Sequence, residues 1–183
     1  MKFRALLAVL ALLSLAAGTQ ADELNICYNY GCATRATVHL RGAELSRIRM
    51  HFSWTKDAGD ERDAIAQAIG QFIAFSGQQT PTFRDHGRNL LDDGVDGRMD
   101  CIDHTHNTTL YLKLVEERGW LKFHQVLDPV KRAPLMINEH WAAHIAEQEN
   151  GEEFVVDSWF FEPGHPAAIF TLEEWKNGAE PNE

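Results

Sequence analysis

The stretch GRMDCIDHTHNTTLYLKLVEERGW, from Gly97 to Trp120, carries the decision about the fold. Asp100 stands where a helix N-cap belongs, Gly119 can end the helix, and Ile102, Leu110, Leu112, Leu114 and Val115 supply apolar contacts. Cys101 then falls in the first helical turn. A thiol is a useful nucleophile only as thiolate, and a free cysteine with an ordinary pKa of about 8.5 is mostly protonated near neutral pH. The positive end of a helix is worth roughly 0.3 to 2 kcal/mol to such an anion. Asp100 and Asp103 work the other way, since negative charge beside a thiolate disfavours it. A histidine is needed to complete the activation.

Downstream, Trp120 to Val126 has strand character and is expected to stop before Pro129. His140 to Gln148 and Glu152 to Phe161 form a second pair of expected strands, joined at Asn150 and Gly151, a hairpin signal. Side chains alternate along a strand, so His140, Ala142 and His144 share one face and Trp141, Ala143 and Ile145 the other. A strict two-residue turn would set Asp157 opposite His144, whereas a longer or bulged turn would slide Asp157 towards His140. An acid beside an imidazole fixes its tautomer and stabilises the imidazolium.

Upstream, Ile65, Ala68, Ile69, Phe72, Ile73 and Phe75 recur at helical spacing from Asp60 onward and Gly77 follows as a stop. Gln78 to Arg98 is polar and glycine-bearing, a long loop of the kind that is often functional. Ala36 to Leu40 and Leu45 to Phe52 are expected as strand or mixed structure. After Pro163, the apolar residues Ile169, Phe170, Leu172 and Trp175 point to a short helix packed on the core. The order predicts an α+β domain in which a cysteine-bearing helix packs on an antiparallel sheet, with helices to one side.

The chain begins with Lys2 and Arg4, an apolar run from Ala5 to Ala17, and small residues at Thr19 and Ala21. This reads as a secretory signal peptide over residues 1–21, too short to span a bilayer, followed by a single domain over 22–183. A periplasmic or extracellular protein without a membrane span is expected. In that compartment Cys27 and Cys32, separated by a turn-like tract, can form a disulfide, which leaves Cys101 as the odd thiol. The formal charge of −10 is spread without a basic block, so nucleic acid is not an expected partner. A monomer acting on a peptide or protein is expected.

The motif DCID from Asp100 to Asp103, HWAA from His140, and GEEFVVD ending at Asp157 together resemble the transglutaminase-like superfamily, including its bacterial cysteine peptidase branch. The resemblance spans about Asp60 to Phe161. It implies a papain/transglutaminase-like fold and a triad of Cys101 as nucleophile, His140 as base and Asp157 as orienter. His144 is the alternative base. It further implies hydrolysis or transamidation of peptide or glutamine-type amides, with no metal or organic cofactor. The backbone N–H of Cys101 is one expected oxyanion donor; the second would come from the Trp54 region or the Gln78–Arg98 loop.

Two other functions start from the same residues. Cys101, Asp103, His104 and His106, with His86, His140 and His144 elsewhere, would suit a periplasmic zinc- or copper-binding protein. Helical spacing weakens that reading, because His104 and His106 point apart. A catalytically inactive module of the same fold, binding a peptide or cell-wall fragment, is the third.

Overall fold

Helical periodicity is realised where the sequence is most periodic. In the computed structural model, which describes residues 21–133 and 139–181, the run from Asp60 lies in helix α2 (Ala58–Gly77). The Asp57 side chain caps it by accepting the Asp60 N–H, and Ile65, Ala68, Ile69, Phe72, Ile73 and Phe75 are all buried. Helix α3 (Cys101–Glu117) starts at the cysteine. Asp100 accepts the N–H groups of Ile102 and Asp103, and Asp103 accepts that of Asp100, a reciprocal capping box. The two helices meet where Phe72 and Tyr111 stack with ring centroids 4.7 Å apart. A fully buried side chain of this size contributes roughly 1.5 to 3 kcal/mol.

Two antiparallel sheets complete an α+β architecture. Strands β1 (Asp22–Tyr28) and β2 (Thr34–Leu40) pair with each other. Strands β3 (His124–Arg132), β4 (His140–Glu147), β5 (Glu153–Asp157) and β6 (Ala168–Thr171) form a four-stranded sheet in that spatial order. Ala143, Ile145, Phe154 and Val156 join the main core with residues of α2 and α3. Ala142 and Val155, of opposite parity, pack with Trp175 of α4 (Leu172–Lys176). The expectation of helices to one side therefore needs correction: the long helices cover one face, and α4 covers part of the other.

Three further expectations change. Leu45 to Phe52 lies in helix α1 (Gly42–Phe52), not in strand or mixed structure. Ile48, Met50 and Phe52 alternate as a strand would, but Leu45, Ile48 and Phe52 also follow helical spacing. The helix buries those three and leaves Met50 69% exposed. Strand β3 starts at His124 and runs past Pro129, because a register shift between Leu127 and Val130 takes the proline out of the ladder at the sheet edge. Strand β5 ends at Asp157 rather than continuing to Phe161.

The Cys27–Cys32 disulfide is formed. Among the described residues no helix is long and apolar enough to cross a membrane. The signal peptide expected over residues 1–21 falls, Ala21 apart, outside the described residues.

Candidate active site

The turn between β4 and β5 decides which histidine meets the acid. Glu147 and Glu152 close it through a backbone hydrogen bond of 2.8 Å, so the turn is longer than Asn150-Gly151 alone. The register that follows pairs His144 with Val155 and Ala143 with Val156. Asp157 is thereby carried one step further, to the level of Ala142 and onto the face of His140. The His140 Nε2 to Asp157 Oδ2 distance is 2.6 Å. The strict two-residue turn, with Asp157 opposite His144, is not what forms. His144 has other partners: Nδ1 faces the Asp128 carbonyl at 3.2 Å and Nε2 lies 3.2 Å from Glu153.

Asp157 is held by more than the imidazole. The Trp175 indole N–H donates to Oδ2 at 3.1 Å, and the Trp159 backbone N–H donates to Oδ1 at 3.2 Å. The rings of Trp159, Phe160 and Trp175 surround His140, with centroids 4.9, 5.8 and 5.8 Å away. Burial works to lower the imidazole pKa, but the Asp157 hydrogen bond and then the Cys101 side chain overcome it and hold His140 up at about 9. Cys101 is thus within interacting reach of the same ring. With Nε2 committed to Asp157, Nδ1 is the nitrogen left for the sulfur.

Cys101 is the free cysteine and is half-buried rather than sealed in apolar packing. The N–H groups of Ile102 and Asp103 are taken by the Asp100 cap. Among the described residues the N–H of Cys101 itself has no acceptor. It is therefore left unspent by the cap, and an unspent N–H at a helix start is a donor of the kind that serves a developing oxyanion. Of the segments expected to offer a second donor, Trp54 is largely exposed, and the Gln79 side chain is spent on the backbone of His39.

The other histidines of the candidate set have partners elsewhere. His104 is buried, with Nε2 on Asp85 and Nδ1 on Ser158, each at 2.9 Å, and Thr108 also contacts the Ser158 hydroxyl. This has the chemical composition of a Ser-His-Asp triad, but the serine is buried and both ring nitrogens are occupied. His86 is exposed and lies against Glu162. Among the described residues the grouping that could gather on a metal is Cys27, Cys32 and His106, in which both sulfurs are tied up by the disulfide. His104, on Asp85 and Ser158, and His106, beside Arg35, point apart as their helical spacing implies.

Trp175 and Trp159 are partners of Asp157 that the residue pattern alone does not announce. The spacing of Asp157 and Trp159 carries a signal, since an aspartate commonly accepts the N–H two residues on. Nothing local marks Trp175, which arrives from a separate helix. Comparison of the chain with family models, with curated proteins and with solved structures finds no match.

Proposed function

We propose that this chain is a cysteine-dependent amide hydrolase or acyltransferase of transglutaminase-like type, acting on peptide or glutamine-type amides. The observation that carries it is one imidazole bound to Asp157 on one nitrogen at 2.6 Å, with the Cys101 thiol, at a helix mouth, near enough to help hold that ring's pKa up. Nucleophile, base and orienter are the three parts that acyl transfer needs.

The chemistry follows from the positions. His140 Nδ1 takes the Cys101 proton, and the thiolate attacks the substrate carbonyl carbon, opening its C=O bond to a tetrahedral oxyanion. In this reading the Cys101 N–H, which has no acceptor among the described residues, takes up that charge. As the oxyanion collapses, the C–N bond breaks and the imidazolium gives its proton to the leaving amine, which leaves a thioester on Cys101. Water, or an acceptor amine, then loses a proton to His140 and attacks the thioester; the sulfur departs and is reprotonated. Asp157, fixed by Trp159 and Trp175, keeps the ring in the tautomer that leaves Nδ1 able to act as base.

The test is iodoacetamide labelling of the intact protein at about pH 6, where an ordinary thiol is almost unreactive, with and without a chelator. Rapid labelling of Cys101, indifferent to the chelator and lost in His140→Ala, supports the enzyme. Labelling that accelerates when metal is stripped points to metal binding instead. Slow labelling under every condition overturns the catalytic reading and leaves a binding module.

A further inference from the structure

The segment joining β1 to β2 has an unusual backbone. Asn29, Tyr30, Gly31 and Cys32 all have positive φ, at 67°, 61°, 62° and 57°. Only glycine adopts that region without penalty, and for other residues it costs roughly 1 to 2 kcal/mol each. Three of these four are not glycine, so something outside the segment must hold it. The Cys27–Cys32 disulfide closes it covalently.

Successive backbone N–H groups in a turn can line one concavity, which suits an anion. Here the anions are the two carboxylates on either side of Cys101 in the sequence. Gly31 N–H donates to Asp100 Oδ2 at 3.0 Å, and Cys32 N–H donates to Asp103 Oδ1 at 2.6 Å. The other oxygens of the same carboxylates cap α3. Each carboxylate therefore joins the bridged turn to the helix mouth. Around them, Asn29 N–H donates to the Arg98 carbonyl, Gly97 N–H to Asn29 Oδ1, and the Asn107 amide pairs with both backbone groups of Cys27, all at 2.7 to 2.8 Å.

We propose that the bridged Cys27–Cys32 turn is a positioning device for the nucleophile: it holds the mouth of α3 in place and occupies the two carboxylates beside Cys101. The inference rests on the cysteine-nucleophile reading above. Opening the turn has two consequences of the same sign. The helix mouth frays, so the sulfur loses the aligned N–H groups and its approach to His140. Burial, against the N–H bonds that pull it down, pushes Asp103 up to about 6. Opening the turn also removes the Cys32 and Tyr30 N–H bonds that pull Asp103 down, but burial is the larger cause, so water reaching the carboxyl returns it towards its ordinary range and adds negative charge beside the thiol. The other titratable groups at this mouth are His140 with Asp157 behind it, Tyr30 hydrogen-bonded to Asp92, Arg98 paired with Asp92, Asp96 on the Asn29 amide, and His106, which lies against the disulfide with Arg35 beside it.

The experiment compares the pH dependence of Cys101 alkylation by iodoacetamide in the parent protein and in Cys27→Ser/Cys32→Ser, with folding followed by circular dichroism. The alkylation midpoint should rise by about one pH unit, so that labelling at pH 6 slows about tenfold. Adding Asp103→Asn to the bridge-free protein should bring the midpoint part of the way back, which a general loosening of structure would not do. Asn29→Gly keeps the bridge and tolerates the positive φ but removes the Gly97 acceptor. It should move the midpoint the same way by a few tenths of a unit, about two- to threefold in rate, and it decides the matter if the bridge-free protein does not fold. Midpoints unchanged in the folded variants overturn the positioning role while a low parent midpoint keeps the nucleophile. A parent midpoint near that of a free thiol, about 8.5, overturns the nucleophile and this proposal with it.

Discussion

His140 with Asp157 and His124 with Glu61 are the same chemical pair in two settings. In the second, both side chains are fully buried, and the Glu61 carboxylate accepts the N–H groups of Lys122, Phe123 and His124 as well as the His124 ring at 3.0 Å. The other ring nitrogen faces Arg62 at 3.3 Å. Every polar atom has a partner, and the pair ties the first turn of α2 to the start of β3. In the first setting, one ring nitrogen is bound, the other has no partner among the described residues, and a half-buried thiol is near enough to help hold the ring's pKa up. An acid and an imidazole become chemistry only where the second nitrogen stays free beside a reactive atom; elsewhere they are a fastening.

The contrast breaks most sharply at the sulfur. Cys101→Ser should cut amide turnover by at least about ten-thousand-fold, since the members of a nucleophile–base set act as a unit. His140→Ala should fall to a similar floor, with circular dichroism unchanged. Turnover retained in either variant would put the two pairs on an equal footing as structure. At the other pair the loss should appear in stability. Glu61→Ala leaves three backbone N–H groups and an imidazole without an acceptor, and should cost about 3 to 5 kcal/mol in urea unfolding. The rate of Cys101 labelling in the folded fraction should stay within about twofold of the parent, because Glu61 lies outside the site.

The pairs should also set opposite limbs of the pH–stability curve. His140 is raised from an unfolded value near 6.5 to about 9. Its contribution is fully present below about 6.5 and is lost as pH rises through 9, on the order of 3 kcal/mol at most. Glu61 is lowered: burial alone would raise it, but the His124 ring and the backbone N–H groups prevail. Its contribution is present above an unfolded value near 4.5 and is lost as pH falls below it. Denaturant midpoints across pH should therefore show His140→Ala flattening the alkaline limb and Glu61→Gln the acid limb. The smallest effect is expected at Trp175→Phe, which removes one donor to Asp157. It should lower kcat by about two- to tenfold, the worth of one hydrogen bond of roughly 0.5 to 1.5 kcal/mol, with KM nearly unchanged.

Much of the frame was legible because it depends on neighbours in the chain. The period of Ile65 to Phe75, the Asp100 cap that puts Cys101 at a helix mouth, and the short tract closing Cys27 on Cys32 are settled within a few residues. Leu45 to Phe52 was not legible, because its apolar residues fit two periods and only packing against α2 chooses between them. Pro129 argued for a strand end, and the sheet edge with its register shift allowed the strand to pass.

The site divides in the same way. Residue types and order, on their own, brought Cys101, His140 or His144, and Asp157 into one hypothesis, since helix capping and strand alternation are short-range rules. Which imidazole meets the acid belonged to the tertiary structure, because a change of two residues in the β4–β5 turn moves every cross-strand partner. The fixing of Asp157 by Trp175, and of the α3 mouth by the turn at Asn29 to Cys32, also appears only in three dimensions. Those contacts join segments 18 and about 70 residues apart, and no local propensity reports on a partner at that distance.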